Sequence, residues 1–418
     1  MRNNRIAPFF VLWTGQAVSL VGTQAVQFAL IWWLAEQTGS ATVLAAATLV
    51  GILPLALCGP WAGTVADRRS RKGLMLLADG AAALVSAALA LGFLAGAVGP
   101  TAVLASLLLR AIASAFHGPA MLAVTSSLVP AEHLARVQGL NQVLQGGMLI
   151  VAAPLGALLV AWLPMAGVAF VDVATALVAI VPLVFLHIPS PSRTSGAAAP
   201  SSSTWSDLRA GLRYVLGHPG HRALLGLAAA INLAIVPAYA LLPLLIQGPL
   251  AGGPGALASA QSALGVGTLV GGAILGAWGG TRRRMLTSLA AMAGIGIATV
   301  VLGVSPGGMA AFAAGAMLAV GAFAALANGP IVAVLQATVP SELQGRVFGL
   351  YGSLATLATP IGLVLAAPVA QAFGVRAWYV AGGFACVALA VLGSRSRSVA
   401  SIEDQAETLP AVDGESAA

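Results

Sequence analysis

Four ionisable side chains stand in stretches of sequence that are otherwise almost wholly apolar: Asp79, Arg110, His117 and Asp172. Charge in such surroundings is expensive and is kept for a function or held by a partner. A carboxylate shielded from water can take up a proton, a nearby arginine favours its release, and an imidazole can do either. Proton exchange and ion pairing are therefore the chemistry on offer, with Asp79 and Asp172 as candidate carriers. Helical depth decides which groups can meet. At about 1.5 Å per residue, Asp79 and His117 each lie roughly 9 Å from one end of their segments, and Arg110 and Asp172 lie roughly 14 and 9 Å from the other end. Two pairings follow, Asp79 with His117 and Arg110 with Asp172, and plain neutralisation between packed helices is the alternative role for each acid.

The elements that must carry these groups are membrane spans. The chain has 418 residues, of which 59% are hydrophobic and 7% charged, against about 25% charged in soluble domains. Its apolar blocks run to about 20 residues or more, enough to cross a hydrocarbon core. Backbone groups in lipid must satisfy one another, so the blocks are helices, and they lack the alternation of barrel strands. The expected spans are 8–34, 42–65, 73–97, 101–125, 138–163 and 166–187, then 221–247, 257–280, 285–305, 308–335, 347–373 and 376–393. This divides the chain into a bundle at 1–187, a linker at 188–220, a bundle at 221–393 and a disordered tail at 394–418. Within the linker, Trp205, Leu208, Leu212, Val215 and Leu216 recur at helical spacing opposite Asp207, Arg209 and Arg213, which predicts an amphipathic helix on the inner leaflet.

The formal charge of +7 reports topology rather than a nucleic-acid partner. Seventeen of the 19 basic residues fall on one side if the N-terminus is inside, leaving Arg376 outside and Arg110 within a span, as the positive-inside rule requires. The expected location is a plasma (inner) membrane, multi-pass, with both termini cytoplasmic. Trp32, Trp33, Trp162 and Trp378 at outer ends, and Trp61 and Trp278 at inner ends, suit aromatic belts. Cys58 and Cys386 give neither a disulfide framework nor a metal spacing.

A duplication organises the whole. Residues 129–140 read VPAEHLARVQGL and residues 339–350 read VPSELQGRVFGL, with seven of twelve positions identical at an offset of 210. His117-Gly118-Pro119 is answered by Asn328-Gly329-Pro330, and Ala153-Pro154-Leu155-Gly156 by Thr359-Pro360-Ile361-Gly362. Each copy reads as a loop between the fourth and fifth helix of its half. Two six-helix units of this kind imply a parallel repeat, with a substrate site between them near midplane.

The segment from Gly63 to Lys72, with Asp67, Arg68 and Arg71 between, resembles the signature loop of the major facilitator superfamily. It departs in having Ser70 where the family usually has glycine. The resemblance implies an all-α membrane protein with twelve transmembrane helices in two six-helix bundles. It also implies that Gly63, Asp67, Arg68, Arg71 and Lys72 form a conformational latch. Asp67 would face the N-terminus of helix 11, and the basic residues would pair with that acid or with lipid phosphate. Leu12-Trp13-Thr14-Gly15-Gln16 with Ser19 and Gly22, Thr38-Gly39-Ser40-Ala41, and Gly211-Leu212-Arg213-Tyr214-Val215 are similar to the drug-efflux group that includes macrolide exporters and the enterobactin exporter. Arg110 matches that family's helix-4 arginine, linked to proton transfer, and Pro154 and Pro360 its helix-5 export element.

That resemblance implies a cavity lined by helices 1, 4, 7 and 10. Its polar candidates are Gln16, Gln24 and Gln27, Asn232 and Tyr239, and Asn328; the three helix-1 glutamines do not share one face. Sparse charge suits a bulky, largely apolar or weakly cationic solute. The expectation is a secondary active transporter, not an enzyme, driving proton-coupled efflux of a drug-like, macrolide-like or siderophore-like molecule by alternating access. An uptake permease or a non-transporting scaffold is the alternative. No cofactor beyond the proton gradient, no metal and no nucleic acid is expected. The partners are substrate, protons and membrane lipid, and the chain is expected to act as a monomer.

Overall fold

Helix is the one secondary structure among the described residues, 7–68, 70–186, 204–399 and 402, of this computed structural model. The first half comprises α1 (Ala7–Thr38), α2 (Ala41–Arg68), α3 (Arg71–Leu94), α4 (Pro100–Leu128), α5 (Ala131–Trp162) and α6 (Met165–Phe185). A short α7 (Thr204–Gly217) leads into α8 (Pro219–Ala240), α9 (Leu242–Gln247), α10 (Pro254–Trp278), α11 (Arg284–Gly303), α12 (Ala310–Thr338), α13 (Ser341–Phe373) and α14 (Val375–Arg395). Among the described residues, eleven helices are long and apolar enough to cross a membrane, and α2 adds a shorter apolar stretch, Ala41–Leu55. The whole of α2 has 28 residues, about 42 Å at 1.5 Å per residue, which also reaches across.

The duplication is visible in the packing. In the first half α2 lies on α4, α3 on α4 and α6, and α1 on α5 and α6. The second half repeats each contact, with α10 on α12, α11 on α12 and α14, and α8 on α13 and α14. The Pro-x-Gly copies mark equivalent close approaches. A Cβ on Gly156 of α5 would sit 2.6 Å from the Ala25 carbonyl oxygen of α1, and one on Gly362 of α13 would sit 2.5 Å from that of Leu233 in α8. Glycine is needed at both places because the neighbouring backbone occupies the space of a side chain.

Several boundaries differ from the sequence expectation. The repeated dodecapeptides are not loops: Pro130 and Pro340 end the break, and α5 and α13 begin at the next residue. Hydropathy marks the lipid-facing length, whereas proline before the first turn marks the start of the helix itself. The expected span 221–247 is broken at Leu241, between Pro237 in α8 and Pro243 at the start of α9. Proline carries no amide hydrogen and so ends the ladder.

The amphipathic segment is helical, but it docks on the second half rather than resting free on a leaflet. Val215 is fully buried among Leu224, Val347 and Leu350, the Tyr214 hydroxyl donates to the Thr338 carbonyl at 3.0 Å, and Gly211 lies against the Arg346 backbone. Leu212 and Leu216 stay exposed. The side chains of Trp205, Asp207 and Leu208 lie outside the described residues. The tail does not lose order at 394. Val399 and Ile402, three residues apart, are buried against the start of α8, because two apolar residues at helical spacing find an apolar surface there. The rest of the linker before α7, 187–203, and the rest of the tail, 400–401 and 403–418, lie outside the described residues.

Trp61, Trp162 and Trp278 are exposed as belt residues should be, whereas Trp32 and Trp378 are buried between helices. Trp378 donates its indole N–H to the Ala234 carbonyl at 3.1 Å, the partner a buried tryptophan requires.

Candidate functional site

The alternating course of the helices collects Arg71, Lys72, Arg136, Arg222, Arg283 and Arg346 at one end of the molecule, here the basic end, and Arg376 at the far end. Among the described residues, contact between the halves is not uniform along that axis. At the far end one apolar cluster joins Phe28, Trp32 and Leu44 of the first half to Leu242, Leu245 and Ile246 of the second. A smaller cluster sets Ala45 of α2 against Leu363 and Ala367 of α13, and Gln371 donates to the Thr42 hydroxyl at 2.7 Å. The large apolar clusters at the basic end each stay within one half. The halves are thus sealed together at the far end.

Below that seal lies a cavity of about 610 Å³, within the usual range for small-molecule sites. Its polar lining is Gln24 and Gln27 from α1, Gln142 and Gln145 from α5, Tyr239 from α8 and Gln261 from α10. Phe28, Ile31, Leu149, Leu257 and Met317 supply apolar wall. Among the described residues, no ionisable side chain lines it apart from the Tyr239 phenol. Amides can donate and accept at once, so this wall offers hydrogen bonds without a charge to neutralise.

This corrects the expected lining. Helix α5 and helix α10 form much of the wall, and helix 4 contributes nothing to it. Of the six polar candidates, Gln24, Gln27 and Tyr239 face the cavity. Gln16 does not, and donates instead to Asp79 at 2.9 Å. Asn232 and Asn328 turn back on their own helices, to the carbonyls of Ala228 and Ala324, both at 2.9 Å. Gln142, Gln145 and Gln261 were missed. The signal for the first two was two amides three residues apart inside an apolar span, the same pattern as Gln24 and Gln27.

Both predicted intramembrane pairs form, and both lie in the first half. Arg110 Nη2 stands 3.2 Å from Asp172 Oδ2, with both side chains almost wholly buried. Asp172 also accepts from the Thr23 hydroxyl at 2.8 Å and from Ser86. Arg110 reaches the Thr23 carbonyl at 3.4 Å, and its Nη1 is buried without a hydrogen-bond partner. His117 Nε2 lies 3.3 Å from Asp79 Oδ1, whose other oxygen takes the Gln16 amide. Every partner is thus a neighbouring helix of the same half, and α1 touches both pairs.

Of the latch residues, Gly63, Asp67 and Arg68 fall in the last turns of α2, and their side chains lie outside the described residues. Arg71 donates to the Ala123 carbonyl at 2.9 Å. Lys72 donates to the carbonyls of Val184 and Leu186 at 2.7 and 2.9 Å. Lys72 thus caps the C-terminal end of α6, where the dipole is negative, while Arg71 meets α4 of the same half before its last turn.

A sequence profile of the Major Facilitator Superfamily matches residues 12–363. Macrolide efflux protein A of Streptococcus pyogenes is 32% identical over 391 residues, covering 93% of this chain and 96% of that protein. Multidrug efflux pump Tap of Mycolicibacterium fortuitum is 28% identical over 401 residues, covering 91% of this chain and 93% of that one. Among solved structures, a bacterial homolog of the human lysosomal transporter Spinster, inward-facing and unoccupied, superposes with a TM-score of 0.69 at 15% identity, covering 98% of this chain and all of that one.

Proposed function

Because the chain belongs to the major facilitator superfamily and is a multi-pass membrane transporter of that type, we propose that it exports an uncharged or weakly basic, largely apolar small molecule of the macrolide kind, in exchange for protons. The observation that carries this reading is the central cavity, whose polar groups are five glutamine amides and one phenol. A sugar phosphate or other anion would leave its charge unpaired there, at a large desolvation cost. A macrolide offers hydroxyls and carbonyls for the amides and an apolar ring for the walls. Relatives named for macrolide and multidrug efflux support the direction of transport.

In this reading the basic end faces the cytoplasm, with both termini on that side, as the positive-inside rule favours. The cavity then loads from the cytoplasm, and parting of the far-end seal releases substrate outside. Asp172 and Asp79 exchange protons, with Arg110 and His117 favouring release. The segment from Gly63 to Lys72 biases the conformational equilibrium, and the monomer is the working unit.

Inverted membrane vesicles carrying the protein test this directly. A pH gradient, acid inside, should drive accumulation of radiolabelled erythromycin. The double variant Asp79→Asn, Asp172→Asn should abolish accumulation while binding persists. Accumulation unaffected by collapsing the pH gradient, or undiminished in the double variant, removes the proton-coupling assignment. Uptake seen only in right-side-out vesicles reverses the direction.

A further inference from the structure

Three consecutive residues of α1 face three different partners. Gly22 lies so close to α6 that a Cβ there would collide with the Thr175 side chain. Thr23 is bonded twice, its hydroxyl donating to Asp172 at 2.8 Å and its carbonyl accepting from Arg110 at 3.4 Å. Gln24 lines the cavity. At 3.6 residues per turn, Gln16 and Thr23 share one stripe of α1; of the cavity residues, Gln27 lies at the edge of that stripe, Gln24 and Ile31 roughly a quarter turn from it and Phe28 about a third of a turn. The helix that presents two of the five cavity glutamines is therefore the helix that both charge pairs hold.

We infer that Thr23 is a positioning residue that transmits the state of the Arg110–Asp172 pair to the cavity through the backbone of α1 at Gln24. The inference rests on the proton-coupled reading and adds the route by which the proton acts. The ionised carboxylate accepts from Thr23 and from Ser86 while it pairs with Arg110. A proton bound to Asp172 converts one oxygen from acceptor to donor and ends the ion pair. Arg110 is buried and already has one unpartnered amino group, so among the described residues it is then left with the Thr23 carbonyl. Such a group must rearrange, since a buried charge without its partner is strongly destabilising. Because the close approach at Gly22 holds α1 against α6, the rearrangement turns or shifts α1 about that point rather than sliding it away.

The charged and titratable groups on the helices around Asp172 are few. Helix α4 brings Arg110 and His117, and α3 brings Asp79 with the neutral Ser86. Helix α1 has no ionisable side chain between Ala7 and Glu36, and the ionisable residues of α5 are confined to its first turns, up to Arg136. A response that disappears in Asp172→Asn therefore separates the Arg110 pair from the His117 pair.

The test uses the full-length chain in detergent, with Cys58→Ser and Cys386→Ala as background and a bimane label on Gln24→Cys. Bimane emission is followed between about pH 4 and 8.5, a window that spans the ordinary carboxylate and histidine ranges. The parent should show a titration, Asp172→Asn should flatten it, Thr23→Ser should keep its amplitude and Thr23→Val should lose it. Ser86→Ala removes the other hydroxyl on Asp172 without touching α1, and should keep the amplitude. Thr23→Ala carries the same expectation as Thr23→Val if the latter does not purify as a monodisperse protein. A parent that does not titrate, a Thr23→Val protein that titrates like the parent, or a Ser86→Ala protein as flat as Thr23→Val overturns the inference. The vesicle assay fails separately. Erythromycin transport with a flat bimane response removes the Thr23 route alone, while a Thr23-dependent response without erythromycin transport removes the substrate assignment and leaves the route standing.

Discussion

In the proposed transport cycle the far-end seal sets the balance between two access states, and Leu363→Ala measures its strength. Leu363 is fully buried, in a cluster with Ala45 and Leu49 of the opposite half and Ala367 of its own helix. Parting the halves exposes it to the water that enters between them. The substitution removes three carbons, and at about 0.8 kcal/mol per buried methylene it weakens the sealed state by about 2.4 kcal/mol. At about 1.4 kcal/mol per decade, that shifts the equilibrium roughly 50-fold toward the state open at the far end. Leu365 is the internal control, since it lies on the same helix but is 49% exposed, so Leu365→Ala should leave the balance unchanged. Spin labels on Gln37→Cys and Gly253→Cys, exposed far-end positions in opposite halves, report the separation by double electron–electron resonance. Leu363→Ala should add a longer-distance population that Leu365→Ala lacks. Identical distance distributions in the two variants would falsify the idea that this cluster closes the far end.

Three further outcomes follow from the geometry. Gln142→Leu, Gln145→Leu and Gln261→Leu should each weaken erythromycin binding by roughly threefold to tenfold, the worth of one net hydrogen bond, as read by equilibrium binding to purified protein. Gly156→Ala and Gly362→Ala should each lower the melting temperature, because each Cβ would press on a carbonyl of the neighbouring helix; overpacking of this kind costs about 1–3 kcal/mol, and a drop in only one half would break the equivalence. Ile402→Asp places a charge at a fully buried position beside Gly220 and should expose the tail, so trypsin should cut at Arg395 or Arg397 faster than in the parent, with Ala418→Asp as an unaffected control.

The sequence showed the spans clearly because lipid imposes a single length and hydropathy on them. It also brought the right charges together. Depth along a helix needs only a residue count, so Arg110 with Asp172 and Asp79 with His117 could be paired before any coordinates. What depth does not supply is rotation, the face each helix turns to its neighbours. That is why Gln16 was grouped with Gln24 and Gln27 although it serves Asp79, and why Gln142, Gln145 and Gln261 were overlooked. Asn232 and Asn328 mislead for another reason. In apolar surroundings an amide can satisfy itself on the carbonyl four residues earlier, and then it carries no information about the cavity. The docking of α7 was hidden because its partners, Thr338 and Arg346, are more than 120 residues away in sequence.

Val399, Ile402 and Val215 converge on the start of α8, so the two chain segments that leave the second half are fastened at one corner. The first half is then joined covalently to that corner only through residues 187–203. For protein engineering this is a natural seam. A fluorescent reporter inserted near Ser201 would ride between the two halves, and a chain cut there and expressed as two polypeptides would give each fragment its own set of repeated helix contacts.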